Sequence, residues 1–127
     1  MKSRVGVLTL LIVLVMATIP TATCAANDKI QIVTELSNGK TIHLSSGDSF
    51  YLVLVDNPSV RNIWDFEGAV YSGLNLASKQ DISYNLGGPV THILKIEATD
   101  KGQQSVTINH YNIGTIDKTF ELKVVVT

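Results

Sequence analysis

Three histidines, a single cysteine, one close pair of carboxylates and one glycine pair are the residues of this 127-residue chain whose types could do chemistry. His43, His92 and His110 could in principle surround a metal ion, but they lie far apart and none has the close spacing of a ligand motif. They read as isolated strand histidines, each inside an alternating apolar segment. A serine nucleophile needs a sharp, exposed turn beside a base; the chain has no Gly-x-Ser-x-Gly, and its serines fall in ordinary turns. Asp65 and Glu67 share one face of an extended segment, where they read as a solvated edge rather than an acid/base pair. Gly87-Gly88 lacks the lysine and following helix that turn a glycine loop into a phosphate cradle. These absences predict a protein that is not an enzyme, with no catalytic residue, no metal and no cofactor.

The single cysteine, Cys24, belongs to an N-terminal leader. Lys2 and Arg4 give a positive start, Val5 to Ile19 is an apolar run of 15 residues, and Pro20 is followed by the small residues Thr21 to Ala26. That order predicts a signal peptide over residues 1–26 and a secreted or extracytoplasmic domain over 27–127. A spanning anchor needs about 20 apolar residues and a basic stop, which this run lacks. Acylation of Cys24 would instead tether the domain to a membrane, although Thr21 and Thr23 replace the residues such signals prefer. Without the leader the domain has no cysteine, hence no disulfide framework, and carries 8 basic residues against 11 acids. A mildly acidic, evenly spread charge predicts no nucleic-acid partner. No feature marks a small-molecule substrate. Asn57-Pro58-Ser59 is not a glycosylation site, because proline occupies the middle position.

Within the domain, apolar residues recur at every second position, the period of a strand. Ile30, Ile32 and Thr34 share one face of a first strand, Asn38-Gly39 suits a two-residue hairpin turn, and Thr41 to Leu44 returns with Ile42 and Leu44 inward. Ser49 to Val55 is the strongest strand, ended by Asn57-Pro58. Ile63 to Phe66 alternates, with Trp64 and Phe66 inward and Trp64 in the core. Glu67 to Asn85 is broken by glycines and polar residues, and offers only Leu74 and Leu76 as an apolar pair. Strands resume at Val90 to Ala98, at Ser105 to Tyr111 with Val106, Ile108 and His110 on one face, and at Thr119 to Val126, after a loop over Asn112 to Lys118. The expected fold is all-β: an immunoglobulin-like β-sandwich of about seven to eight strands.

Three features follow one another in a telling order. Asn57-Pro58-Ser59-Val60-Arg61-Asn62-Ile63-Trp64 comes straight after a strand, Leu86-Gly87-Gly88 opens another, and a loop at Asn112-Ile113-Gly114-Thr115 follows Tyr111 and precedes the terminal strand. From about Thr34 onward the chain resembles the chagasin family of cysteine-protease inhibitors. In that family an Asn-Pro-Thr-Thr-Gly-aromatic segment runs into a tryptophan, a glycine-rich loop follows, and an Arg-Pro-Trp loop comes after a tyrosine-bearing strand. Asn57, Pro58 and Trp64 match. Ser59, Val60, Arg61 and Asn62 differ from the family pattern, and neither the arginine nor the tryptophan of the third motif is present.

The resemblance implies a sandwich with three loops at one end, and a papain-like cysteine protease as partner. It implies contact through Asn57, Pro58, Ser59, Val60, Arg61 and Asn62 of the first loop, Leu86, Gly87 and Gly88 of the second, and Asn112, Ile113, Gly114 and Thr115 of the third. An arginine where the family has glycine calls for a different turn or for local strain. A second possibility is an extracellular or cell-surface recognition domain of the same fold that has lost inhibition together with Arg-Pro-Trp.

Overall fold

A computed structural model describes residues 30–127. The leader over 1–26, Cys24 and the boundary at residue 27 lie outside the described residues. Nine strands follow in order: β1 (Ile32–Thr34), β2 (Thr41–Leu44), β3 (Ser49–Asp56), β4 (Asn62–Trp64), β5 (Val70–Ser72), β6 (Leu74–Ser83), β7 (Val90–Ala98), β8 (Gly102–Asn112) and β9 (Thr115–Val126). They form two sheets, one ordered β1-β3-β7-β6 and the other β2-β9-β8-β4, with β5 also paired to β8. The architecture is the expected all-β sandwich.

Strict alternation builds the core. Phe50, Leu52 and Leu54 of β3 face Leu94 and Ile96 of β7, and Val106 and Ile108 of β8 stand beside Phe120, Leu122 and Val124 of β9; all are essentially buried. Each such side chain stabilises the fold by about 1.5–3 kcal/mol relative to exposure. Trp64 joins this core, 4 % exposed, and Phe66 packs partly against it.

Four expectations need correction. Ile30 and Ile32 face solvent, and Val33 between them is the buried residue of β1. No hairpin joins β1 to β2: β1 pairs with β3 and β2 with β9, both in parallel, so the chain crosses between sheets through a short 3-10 turn at Glu35–Ser37. Asn38-Gly39 is spent on the far strand instead. The Gly39 N–H donates to the Glu121 carbonyl at 2.7 Å, and Asn38 Oδ1 accepts from the Glu121 N–H at 2.7 Å.

The unread stretch between Glu67 and Asn85 contains β5 and the ten-residue β6. As an edge strand β6 buries little beyond Leu74, and a bulge between Leu76 and Ser78 shifts its parity. Finally, Asn112 to Lys118 is not a loop. The β8–β9 ladder runs up to Asn112 and Thr115, leaving a turn of Ile113 and Gly114 only. Asp65 and Glu67 likewise lie beyond the end of β4, where Asp65 Oδ1 accepts the Gly68 N–H at 3.0 Å.

Candidate functional site

Register decides which connections meet. Asp56 at the end of β3 lies opposite Val90 at the start of β7, and Ser83 at the end of β6 pairs with Val90 from the other side. Asn62 of β4 pairs with Asn112 of β8 in the second sheet. The β3–β4, β6–β7 and β8–β9 connections therefore leave the same end of the sandwich.

The first connection is pinched at its neck, where Asn57 and Asn62 exchange two backbone hydrogen bonds of 2.9 and 3.1 Å. Pro58 opens a 3-10 turn over Pro58–Val60, a place where its fixed φ suits the turn and its missing N–H is not needed. Arg61 closes the turn in the left-handed region, φ 60° and ψ 35°. Arginine thus keeps the conformation that glycine would adopt freely, at a cost of about 1–2 kcal/mol. The local strain expected of an arginine here is present at Arg61.

In the second connection, the Gly88 N–H donates to the Asn85 carbonyl at 3.2 Å, and Gly87 at φ 75° takes the backward-turning position. The third has positive φ at both central residues, Ile113 at 51° and Gly114 at 80°, the geometry of a two-residue hairpin turn matched to strand twist. Positive φ is a genuine outlier for β-branched isoleucine.

The three connections are tied together. The Ser59 hydroxyl lies 2.6 Å from Asn57 Oδ1 and 2.7 Å from the Gly87 carbonyl. One hydroxyl carries one proton, so donation to Gly87 is satisfied when the Asn57 amide turns its NH2 toward Ser59 Oγ. The Ile113 N–H donates to the Arg61 carbonyl at 2.9 Å. First loop to second, and first to third, the tip is one hydrogen-bonded unit.

Beneath it sit two buried histidines. His92 lies between Asp56 Oδ1 at 2.8 Å and Asp81 Oδ1 at 2.7 Å. Asp56, 5 % exposed, also accepts the Trp64 backbone N–H at 2.8 Å, so each of its oxygens has a donor. The Trp64 indole N–H donates to the Val55 carbonyl at 3.1 Å, so one residue of β4 fastens the second sheet to β3 of the first. His110 stands between Asp117 Oδ1 at 2.5 Å and Asn62 Oδ1 at 2.6 Å, edge-on to Trp64 with ring centroids 4.8 Å apart. The hydrogen bond from His110 holds the Asp117 carboxyl below its ordinary range. Those from Lys79 and then His92 do the same for Asp81. Burial pushes the Tyr71 phenol up.

Of the thirteen residues singled out from sequence, the structure brings all three groups to this end. Asn62 is turned inward to His110, whereas Pro58, Ser59, Val60, Arg61, Leu86, Gly87, Asn112, Ile113, Gly114 and Thr115 are exposed. Each connection presents one bare aliphatic side chain: Val60, Leu86 and Ile113. Sequence reading missed the two buried histidine clusters and exposed Tyr84. The signal for the histidines was parity, since His92 aligns with Leu94 and Ile96, and His110 with Val106 and Ile108. Among the described residues, no group of three or more histidine, cysteine or acidic side chains could hold a metal ion.

No family model matches the chain, and no curated protein matches it in sequence. Solved structures do match. The cysteine protease inhibitor EhICP2 from Entamoeba histolytica superposes with a TM-score of 0.64 at 18% identity, over 77% of this chain and 95% of its own. Amebosin matches with a TM-score of 0.55 at 23% identity, over 78% of this chain and 99% of its own. An epitope scaffold based on an inhibitor of cysteine proteases gives a TM-score of 0.51 at 24% identity, covering 63% of this chain and 76% of its own.

The domain has the chagasin-type fold. Of these three neighbours, EhICP2 is described as a cysteine protease inhibitor and the epitope scaffold as based on one.

Proposed function

We propose that the domain is a reversible, non-covalent inhibitor of papain-like cysteine proteases, which blocks the active-site cleft with the tip at Asn57–Asn62, Asn85–Pro89 and Asn112–Thr115. The observation that carries this reading is the hydrogen-bonded union of three loops at one end of a stiff sandwich. Loops fixed in advance lose little conformational entropy on docking, and the backbone at Gly87 has no side chain to obstruct a close approach. Complexes of this kind bury about 1,600 Å² and depend on a few anchors. No chemistry is required of the inhibitor, because it acts by excluding substrate. The proposed setting is outside the cytoplasm, after removal of residues 1–26. The mass of the exported protein would expose acylation at Cys24 instead.

Recombinant 27–127 is expected to inhibit at least one papain-like enzyme with rates that recover on dilution. A panel of such enzymes left fully active at micromolar inhibitor would overturn the proposal.

One observation favours the second reading, a recognition domain of the same fold. The third loop is only a two-residue turn and protrudes little. Writing Arg-Pro-Trp directly over 113–115 is not a fair test, since proline cannot take the φ of 80° at Gly114. A graft that lengthens the turn discriminates: gained inhibition supports the inhibitor scaffold, and no change supports the recognition domain.

A further inference from the structure

His92 sits where three strands of one sheet reach the feet of two loops. Its ring, on β7, lies between Asp56, the last residue of β3 before the first loop, and Asp81 of β6, which leads into the second. Nε2 is 2.8 Å from Asp56 Oδ1, and Nδ1 is 2.7 Å from Asp81 Oδ1. Asp56 also accepts the Trp64 N–H, so the same joint reaches the second sheet.

An ionised carboxylate only accepts hydrogen bonds, and a neutral imidazole has one N–H to give. Two carboxylates facing both ring nitrogens therefore require one proton more than a neutral ring supplies. That proton belongs on the imidazole, the stronger base. His110 is built differently. Its partners are Asp117 and the Asn62 amide, and an amide can turn its NH2 toward a bare ring nitrogen. A neutral ring satisfies the site of His110 but not that of His92.

The charged groups at His92 come from two strands. β3 supplies Asp56, and β6 supplies Asp81 together with Lys79, which pairs with Asp81 at 2.8 Å. The segment after β4 contributes the uncharged ring of Phe66, its centroid 4.6 Å from that of His92, with the Lys79 ammonium over it. Leu94 is the next inward residue of β7 itself. His92 is 7% exposed, so a hydrogen bond lost here is not made good by water. The bonds from Lys79 and then His92 hold the Asp81 carboxyl below its ordinary range, and it keeps its charge until pH falls beneath that range.

We propose that His92, protonated at both ring nitrogens, is a positioning residue that holds the first and second loops in register. Loss of that proton as pH rises sets a lone pair against a carboxylate oxygen, and leaves Asp56 and Asp81 repelling each other across the ring. The feet of the two loops then loosen while the core stays folded. The charged ring stands without any partner. Its effect on binding rests on the protease-inhibitor reading, and gives that inhibition a built-in preference for acidic surroundings.

The test compares wild type with Asp81→Asn in recombinant 27–127. The new amide can donate to Nδ1, so a neutral ring keeps both contacts, and at a side chain 51% exposed the change leaves the fold intact. NMR spectra of the ring N–H groups should show hydrogen on both nitrogens of wild-type His92 at pH 7. Between pH 5.5 and 8.5 the urea midpoint of wild type should fall by about 1 M as the second N–H is lost, while that of Asp81→Asn stays level. Over the same range the ratio of wild-type Ki to Asp81→Asn Ki, measured on one papain-like enzyme, should rise roughly three- to tenfold. This ratio cancels the enzyme's own pH dependence. A single N–H on His92 at pH 7, or parallel midpoints, overturns the proposal. A flat Ki ratio beside the expected spectra and midpoints overturns the positioning role. If no enzyme is inhibited, the protease reading fails, and the spectra and midpoints still decide the charged ring.

Discussion

Replacing Ile113 by asparagine should make the domain more stable. Ile113 is held at φ 51°, next to Gly114 at φ 80°, in a turn whose central pair favours Asn-Gly. For a residue with a Cβ the left-handed region costs about 1–2 kcal/mol, and asparagine lowers that cost by bonding its own backbone locally. Against this stands the lost burial of a side chain already 62% exposed, at most about 1 kcal/mol. The Ile113 N–H bond to the Arg61 carbonyl is a backbone bond and survives the change. The net gain works out at about 0.5–1 kcal/mol, which in a domain of this size raises Tm by roughly 2–8 °C. Urea unfolding should show a higher midpoint at unchanged slope. A midpoint equal to or below that of wild type would refute the idea that this turn stores strain. The companion measurement is inhibition: strain kept at a tip has a use if the isoleucine contacts a partner, so Ile113→Asn should be more stable and a poorer inhibitor.

Two further outcomes follow from the groups beneath the tip. Asp56→Ala leaves the Trp64 N–H and His92 Nε2 without their acceptor in a buried place, and urea unfolding should show a loss of about 3–5 kcal/mol, while Asp56→Asn keeps one acceptor and loses less; equal stability of all three proteins would refute the role given to this carboxylate. Asp117 is depressed in the folded state, so its contribution is complete above the ordinary carboxylate pKa of about 3.9 and disappears as pH falls through the lower folded value. Melting curves of wild type and Asp117→Asn should therefore differ near pH 6 and converge in acid, and parallel curves down to about pH 2 would contradict the His110–Asp117 assignment.

Where burial imposed a regular parity, the sequence was easy to read. Val90–Ala98 shows its inward row as His92, Leu94, Ile96 and Ala98, and Val106, Ile108 and His110 do the same on β8. Reading failed where long-range pairing overrode local chemistry. Asn38-Gly39 has the composition of a hairpin turn, yet its polar groups are taken by Glu121, eighty residues away in the ladder, and the chain changes sheets. Edge strand β6 stayed hidden because solvent accepts nearly any side chain there, and its bulge breaks the alternation that would have revealed it. At the candidate site, the order of Asn57-Pro58, Leu86-Gly87-Gly88 and the turn after Tyr111 was enough to group the loops. The left-handed Arg61 and Ile113 were not legible, since neither residue type signals that conformation.

The crossing of the N-terminal segment between sheets bears on how much of the chain the fold needs. β1 and β2 are the outermost strands of different sheets, and together they cover one long flank, β1 shielding β3 and β2 shielding β9. Fewer than fifteen residues thus act as the seam of the whole sandwich. A protein begun beyond Leu44 would keep most of its core but bare two lengths of unpaired backbone at once, each a template for the strand of another molecule. A start only slightly past Ile32 would already bare the edge of β3 to the strand of another molecule.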